Sequence, residues 1–296
     1  MRRHVKFYGI GLSLSIVTLW TAFAQEPEQQ PGFGTFTTID VPGATRSQAR
    51  YLNPRGDIVG FYTAGTVHGF LRSKFGELKP IDFPGADSTM ALGINSQGYI
   101  VGLYSIGLTQ HGFLQTSDGA LSSLDFPDAT STSAWGVNDR GDIVGAYTTA
   151  DGKVHGYIRN KNGQFSSFDV VPNATFTSPY AINSEGDIVG QYGAGGTIHG
   201  FVRTKDGNFS SFDVPGPINA AVGTQTRGIS DSGDIVGWFV NSAGARRGFL
   251  LSQGQFTIIH FSMAIGTDTD GINSEVDMVG GYDGVDGKHH AYVLAR

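Results

Sequence analysis

Six positions at regular intervals along this chain carry the side chains best suited to bind a ligand. Each position lies three residues before a recurring turn, and together they combine two arginines, an aspartate and two large aromatic rings: Arg50, Leu92, Trp135, Tyr180, Arg227 and Asp270. Arginine presents a planar pair of N–H groups that matches carboxylate or sulfate, while Trp and Tyr present ring faces on which a sugar can stack. Such variety at an otherwise repetitive position predicts a ligand-binding pocket.

A second set of mostly polar side chains lies two residues before the first set. Its members are Gln48, Met90, Ser133, Ser178, Gln225 and Asp268. From both sets we predict the following ligand-binding residues: Arg50, Trp135, Tyr180, Arg227, Asp270, Gln48, Gln225 and Asp268. The alternative is that these side chains close the mouth of a channel and bond to one another or to water.

Five histidines at equivalent positions raise the hypothesis of a metal or catalytic ring. The pairing partners argue for a structural role instead, because in four repeats the histidine is matched by an aspartate fourteen residues later: His68 with Asp82, His111 with Asp125, His155 with Asp169, and His199 with Asp213. In the fifth repeat both partners change together, to Arg247 and His260. We therefore predict a His–Asp hydrogen bond within each of the first four repeats, a bond between His290 and Asp40 in the sixth, and no bound metal.

The elements that must position these residues belong to a sixfold repeat. A turn with the fullest form Asn-x-x-Gly-Asp-Ile-Val-Gly begins at Asn53, Asn95, Asn138, Asn183, Ser230 and Asn273. Each repeat contains four short runs rich in Val, Ile, Phe and Tyr, separated by Gly, Asn, Asp and Ser, which is typical of antiparallel strands. Four strands in every 40 to 50 residues predict an all-β, six-bladed β-propeller of four-stranded antiparallel blades.

The two ends of the repeat region predict how the ring closes. A fourth-strand sequence, Phe-Thr-Thr-Ile-Asp-Val-Pro, occurs at residues 36–42 before the first repeat, while the last repeat ends without a fourth strand. We predict that the N-terminal strand (residues 35–42) completes blade six and removes the open edge of a linear array. Residues 35–296 would then form one propeller domain.

The recurring turn has a plain structural interpretation. An Asn side chain can bond to the backbone two residues on, and Gly accepts positive φ, so together they close a hairpin. Because Val276 replaces this Gly in the sixth repeat, we expect a different turn there. A calcium site at the neighbouring aspartates is disfavoured, since each turn offers one carboxylate and calcium takes six to eight oxygens.

The repeats resemble the bacterial extracellular family called HAF, after a His-Ala-Phe signature. The matching tripeptides are His68-Gly69-Phe70, His111-Gly112-Phe113, His155-Gly156-Tyr157, His199-Gly200-Phe201 and His290-Ala291-Tyr292, and the fifth repeat departs with Arg247-Gly248-Phe249. The resemblance covers residues 35–296 and implies an exported repeat protein. It supplies no catalytic residues.

The N-terminus has the features of a secretory signal peptide over residues 1–24. Arg2, Arg3 and Lys6 precede an apolar stretch at residues 8–19, and Ala22-Phe23-Ala24 forms a small-x-small cleavage site. Residues 25–34 are expected to form a polar linker. We therefore predict export to the periplasm or the extracellular space, with no membrane insertion after cleavage.

Composition narrows the possible partners. The formal charge of −6 becomes about −9 once the three basic signal-peptide residues are removed, leaving 17 basic and 26 acidic side chains. This balance disfavours nucleic acid and anionic membrane surfaces. We expect a monomer with no cofactor and, since there are no cysteines, no disulfides.

Three functions remain open from the sequence. The favoured prediction is a binding module for an acidic or neutral carbohydrate, or another small anionic ligand, at the channel mouth. The alternative is a polysaccharide lyase in which Arg50 or Arg227 neutralises a substrate carboxylate and Tyr180 abstracts a proton. A second alternative is a cell-surface scaffold for protein interactions, using apolar loop residues such as Phe176, Ile218 and Met263. Catalytic residues are not identified.

Overall fold

Twenty-four β-strands form the secondary structure of the described part of the chain. The computed structural model describes residues 34–295, with the exception of Pro217 and Ala220. Within this part no helix is long and apolar enough to cross a membrane. The predicted signal peptide (1–24) and all but the last residue of the predicted linker (25–34) lie outside the described residues.

The strands form six units, each a four-stranded antiparallel sheet that corresponds to one sequence repeat. Unit 1 contains β2 (Arg46–Leu52), β3 (Ile58–Ala64), β4 (Thr66–Arg72) and β5 (Leu78–Ile81). Unit 2 contains β6 (Ser88–Ile94), β7 (Ile100–Ile106), β8 (Thr109–Gln115) and β9 (Leu121–Leu124). Unit 3 contains β10 (Ser131–Val137), β11 (Ile143–Thr148), β12 (Val154–Arg159) and β13 (Phe165–Phe168).

The second half of the chain repeats this order. Unit 4 contains β14 (Phe176–Ile182), β15 (Ile188–Ala194), β16 (Thr197–Arg203) and β17 (Phe209–Phe212). Unit 5 contains β18 (Thr224–Ile229), β19 (Ile235–Val240), β20 (Arg246–Ser252) and β21 (Gln255–Ile259). Unit 6 contains β22 (Ala264–Ile272), β23 (Met278–Gly284) and β24 (His289–Leu294), and β1 (Phe36–Thr38) is its fourth strand.

The pairing of β1 confirms that the N-terminal strand joins the last unit. β1 runs antiparallel to β24, with Phe36 opposite Leu294 and Thr38 opposite Tyr292. The Phe36 ring also packs against the rings of Phe261 and Tyr292, with centroids 5.1 and 4.9 Å apart. Strand pairing and apolar contact therefore both hold the start of the chain to its end.

The Ile-Val dipeptide of the repeated motif places one side chain on each face of a sheet. In β3 the side chain of Ile58 packs in one core cluster with Leu52 of its own unit, and the side chain of Val59 packs in another with Ile94 and Phe113 of unit 2. Alternation along a strand produces this division. The other fully buried valines that pack against the following unit are Val101, Val144, Val189, Val236 and Val279. Since Val279 packs against unit 1, this core continues from unit 6 back to unit 1.

The turn asparagines bind adjacent units to each other as well as closing their own hairpins. In unit 1, Asn53 Oδ1 accepts hydrogen bonds from the backbone N–H groups of Arg55 and Asp57, and Asn53 Nδ2 donates to the carbonyl of Asn95 in unit 2. The same bond to the next unit, at 3.0–3.5 Å, is made by Asn95, Asn138, Asn183 and Asn273. The bond from Asn273 goes to the carbonyl of Asn53 and links the last unit to the first.

The turn of the sixth repeat keeps the geometry of the others, so the expectation of a different turn is wrong. Val276 N donates to Asn273 O, as Gly56 N donates to Asn53 O in unit 1. Val276 adopts a φ of 67°, a left-handed conformation that is unfavourable for a β-branched residue. The hydrogen bonds from Asn273 and the packing of Val276 on the unit-6 core hold it there.

Candidate functional site

A β-bulge in the innermost strand of every unit places the first set of predicted ligand-binding residues. In β2 the register with β3 shifts between Ala49 and Tyr51, so Arg50 is the extra residue of a bulge. The equivalent bulged residues are Leu92, Trp135, Tyr180, Arg227 and Asp270. A bulge re-aims the extra side chain. The set therefore lies in the second half of each strand.

The same bulge explains the last glycine of the Gly-Asp-Ile-Val-Gly motif. A Cβ atom on Gly60 would lie 2.0 Å from the carbonyl oxygen of Gln48 and within 2.8 Å of the Phe70 ring. The equivalent glycines face the corresponding carbonyl at 2.0–2.2 Å and are Gly102, Gly145, Gly190, Gly237 and Gly280. Only glycine lets the second strand follow the bulged strand so closely, so the motif glycine and the site column are parts of one arrangement.

Five of these bulged side chains meet in one cluster, which we call the mouth: Arg50, Trp135, Tyr180, Arg227 and Asp270. They come from units 1, 3, 4, 5 and 6. The sixth bulged residue, Leu92, is buried. The five residues singled out from the sequence are thus brought together, although their role in binding is not established by this proximity.

A buried carboxylate stands between the two arginines of the mouth. Arg50 Nη1 lies 3.1 Å and Arg227 Nε 3.7 Å from Oδ1 of Asp270, whose side chain is fully buried. Gln48 Nε2 donates to the other carboxylate oxygen of Asp270 at 2.6 Å. Two guanidinium groups therefore share one carboxylate, which compensates their charge only in part.

The guanidinium groups also lie over the aromatic rings. Arg50 is 5.6 Å from the Trp135 ring centroid, Arg227 is 4.2 Å from that of Tyr180, and the two rings meet edge to face at 4.8 Å. Gln191 connects the pair further, because its amide donates to the Tyr180 hydroxyl and its oxygen accepts from Arg227. These side chains therefore bond to one another, as the alternative interpretation of the sequence expected.

Residues of the second predicted set make hydrogen bonds to the charged groups of the mouth. Gln225 is buried, donates to the Val222 carbonyl at 2.6 Å and accepts from Arg227 at 3.3 Å. Gln48 is buried between Asp270, Asp268 and His289. These glutamines orient the charged groups and expose little surface of their own.

Asp268, next to the mouth, is a titratable group whose charge changes near neutrality. Burial, and then the neighbouring carboxylate of Asp270, raise its pKa from 3.8 to about 7. Arg246 and Arg50 act in the opposite direction. Asp268 is therefore largely neutral below pH 7, and the positive charge of the arginines is least compensated there.

Four further residues next to the mouth were not predicted from the sequence. The Trp238 ring lies between two guanidinium groups, with Arg227 at 5.7 Å and Arg246 at 5.9 Å from its centroid. Arg246 pairs with Asp283, whose carboxylate also binds His289 at 2.7 Å, and His289 in turn bonds to Gln48. The signal was present, because the Trp238 position varies strongly between repeats: Phe61, Leu103, Ala146, Gln191, Trp238 and Gly281.

The predicted His–Asp pairs are present within the units. His155 Nδ1 lies 2.9 Å from Asp169, and the contacts of the equivalent pairs measure 2.8–3.1 Å for His68, His111 and His199. His290 bonds to Asp40 of the N-terminal segment. These side chains are partly exposed, so we expect less than about 1 kcal/mol from each pair. Within the described residues, no three acidic or histidine side chains are grouped to hold a metal ion.

The turn end of the six innermost strands is narrow. A cavity of about 40 Å³ is enclosed there by the turn residues of the units. Tyr51 reaches across it, and its hydroxyl donates to the carbonyl of Ile229 in unit 5 at 3.2 Å. The turns therefore leave little room for a ligand.

Comparison with known proteins shows similarity of fold only. No family model matches the chain, and no curated protein matches it. A protein assigned as TolB from Agrobacterium tumefaciens has a similar structure, with a TM-score of 0.60, 13% sequence identity, and coverage of 84% of this chain and 89% of that one. Virginiamycin B lyase from Staphylococcus aureus has a TM-score of 0.52 at 14% identity, covering 88% of this chain and 99% of the lyase. Together with the strand pairing, these similarities support a β-propeller fold.

Proposed function

We propose that this chain forms a closed six-bladed β-propeller that is exported from the cell and binds an acidic carbohydrate at the mouth. Support for closure comes from the contacts between units 6 and 1, where Asn273 bonds to the Asn53 carbonyl and Val279 packs beside Leu52. The pairing of β1 with β24 provides the fourth strand of the sixth blade. Export is supported by the N-terminal sequence and is tested by fractionating cells that express the full chain.

One observation carries the ligand proposal. Two guanidinium groups, from Arg50 and Arg227, share the single buried carboxylate of Asp270 beside the rings of Trp135 and Tyr180. The excess positive charge favours a carboxylate or sulfate, and the rings favour the apolar face of a sugar. An acidic sugar offers both groups in one molecule, and a neutral sugar would use the rings alone.

The mouth is also prearranged for binding. The hydrogen bonds of Gln48, Gln191 and Gln225 hold its charged groups before any ligand arrives. A site that is ordered in advance loses less conformational entropy on binding. A polar ligand can therefore bind without a large rearrangement of the inner strands.

Titration calorimetry with glucuronic acid and the neutral sugar methyl glucoside tests this proposal. The change Arg227→Gln should weaken glucuronic acid binding at least tenfold, the scale of a hydrogen bond to a charged group, and leave the neutral sugar within twofold. The change Trp135→Ala should weaken both sugars, because stacking does not depend on charge. Arg55→Gln, which removes an exposed arginine from a unit-1 turn, is the charge-matched control.

The outcomes separate the proposed function from its alternatives. Equal effects of Arg227→Gln and Arg55→Gln would contradict binding at the mouth. Incubation with an oligouronide tests the lyase alternative, since unsaturated products would require turnover, and loss of these products in Tyr180→Phe would implicate Tyr180. No binding of either sugar and no turnover would favour a scaffold.

A further inference from the structure

A groove between units 5 and 6 lies beside the mouth. Its volume is about 530 Å³, within the usual range of ligand pockets, and its walls include Trp238, Val240, Ala245, Ile265, Arg246 and Asp283. Ile265 is 63% exposed and lies at a second bulge of β22, between Ala264 and Gly266. The additional bulge, which re-aims Ile265, distinguishes this innermost strand from the other five.

Trp238 connects the groove to the mouth. One guanidinium near its ring belongs to Arg227 of the mouth, and the other belongs to Arg246 of the groove wall. A ligand that leaves the mouth between units 5 and 6 would pass directly over this ring. The two spaces are therefore adjacent parts of one surface, not separate sites.

The charge of the groove differs from that of the mouth. Arg246 is paired with Asp283, and the exposed fractions of their side chains are 25% and 44%. Burial acts to raise the pKa of Asp283, but the bonds from His289 and Arg246 outweigh it and lower the pKa, so this carboxylate is ionised. A neutral ion pair beside Trp238 and Ile265 offers donors, acceptors and an apolar wall without net charge. Hydroxyl groups on the rim of a neutral sugar ring suit such a surface.

We infer that the groove is a second subsite of the same site, which binds a neutral sugar unit linked to the acidic unit in the mouth. The ligand class is then an oligosaccharide with an acidic unit next to a neutral one. This inference rests on the proposed function, because the acidic unit must occupy the mouth. Trp238 and Ile265 contact the apolar face of the neutral unit, and Arg246 and Asp283 bind its hydroxyl groups.

The test compares glucuronic acid with the disaccharide of glucuronic acid and N-acetylglucosamine by titration calorimetry. The protein should bind the disaccharide at least tenfold more tightly than the monosaccharide. Ile265→Ser should remove most of this gain and change monosaccharide binding less than twofold. Trp238→Ala should also remove the gain, and because its ring contacts Arg227 we expect it to weaken monosaccharide binding as well. Ile265 is exposed, so its replacement should preserve the fold, which the melting temperature verifies. The matched control is Met263→Ser, an exposed apolar residue of the preceding loop.

The possible failures are distinguishable. If glucuronic acid binds and the disaccharide binds no more tightly, the subsite is wrong while the proposed function stands. The same conclusion follows if Ile265→Ser and Met263→Ser have equal effects on the disaccharide. If neither sugar binds, the proposed function fails and the subsite fails with it.

Discussion

At the residue scale, the mouth depends on Asp270, because this one carboxylate offsets two guanidinium groups. It has no exposed side-chain surface, and its partners Arg50 and Arg227 are 14% and 12% exposed. The bulge in β22 aims Asp270 towards residues of two neighbouring units. A single position thus links the stability of the inner strands to the charge of the mouth.

We expect Asp270→Asn to destabilise the protein and to strengthen anion binding. Two buried arginines lose their counter-ion, so the free energy of unfolding should fall by about 1–3 kcal/mol, the cost of leaving buried polar groups unsatisfied. Urea unfolding measures this loss, with Asp151→Asn at an exposed pair with Lys153 as the control, where a much smaller loss is expected. Equal losses in both variants would show that Asp270 does not hold the arginines.

Asp268 should make stability dependent on pH. Burial and the Asp270 carboxylate hold its pKa at about 7 in the folded protein, against 3.8 as the ordinary value. The folded state therefore binds more protons between these values, and this group's contribution to the free energy of unfolding falls as the pH rises from 3.8 to about 7. Asp268→Asn should remove that decrease. The free energy of unfolding of the variant, relative to that of the original protein, should therefore be higher at pH 8 than at pH 5. A constant difference across urea titrations at several pH values would contradict the assignment.

At the scale of elements, the hairpin turns both end the inner strands and join the units. Each turn asparagine uses its oxygen within its own hairpin and its amide N–H for the next unit, which explains why Asn recurs at this position. In unit 5 the residue is Ser230, whose hydroxyl bonds to Ser232 and to Asp234 N within the same turn. A serine side chain has no amide N–H group, so Ser230 cannot donate the hydrogen bond that the asparagines make to the next unit.

We expect Ser230→Asn to stabilise the protein. The new amide should donate to the carbonyl of Asn273 in unit 6, while its oxygen caps the turn as in the other five units. The gain in the free energy of unfolding should be about 0.5–1.5 kcal/mol, the net value of one hydrogen bond. Ser230→Ala is the control and should be destabilising, since it removes the cap. A value for Ser230→Asn at or below that of the original protein would contradict a stabilising role for this bond.

At the scale of the whole molecule, the buried core of the described residues is shared between neighbouring units. Each of the six buried clusters combines residues of two adjacent units, including units 6 and 1. A unit alone would leave one face of its sheet uncovered, so stability depends on the neighbours on both sides. The N-terminal segment contributes to this contact through Phe36 of β1 and through the buried Ile39, which follows β1.

Deleting residues 35–42 should therefore destabilise the molecule strongly. The deletion exposes the edge of β24, removes the Phe36 contacts and leaves His290 without Asp40. We expect a lower melting temperature and, because an unpaired strand edge invites pairing, concentration-dependent self-association measured by light scattering. A variant that truncates only residues 25–33 is the control. A monomeric deletion protein with an unchanged melting temperature would rule out this mode of closure.

The local features of this fold could be derived from the sequence by itself. The Ile-Val dipeptides predict strands, the Asn-x-x-Gly turns predict hairpins, and the His–Asp spacing predicts cross-strand bonds. Each feature depends on residues close in sequence or on the two-residue period of a strand. The unmatched fourth-strand sequence at residues 35–42 also predicted the pairing with the end of the chain, although the strand itself spans only Phe36–Thr38. The turn at Val276 was not predicted correctly, because the hydrogen bonds and packing around this residue outweigh its own conformational preference.

The arrangement of the site was decided by the tertiary structure. The positions of Arg50 and Asp270 could be selected as unusual members of a repeated column, but their pairing joins residues 220 positions apart in sequence. This ion pair depends on the bulges in β2 and β22, which were not predicted from the sequence, and on the contact of unit 6 with unit 1. The inclusion of Trp238 follows from the same cause, since its position on a neighbouring strand becomes part of the site only where units 5 and 6 meet. A repeat pattern shows which positions vary between repeats. Which of these variable side chains contact one another is determined by long-range packing.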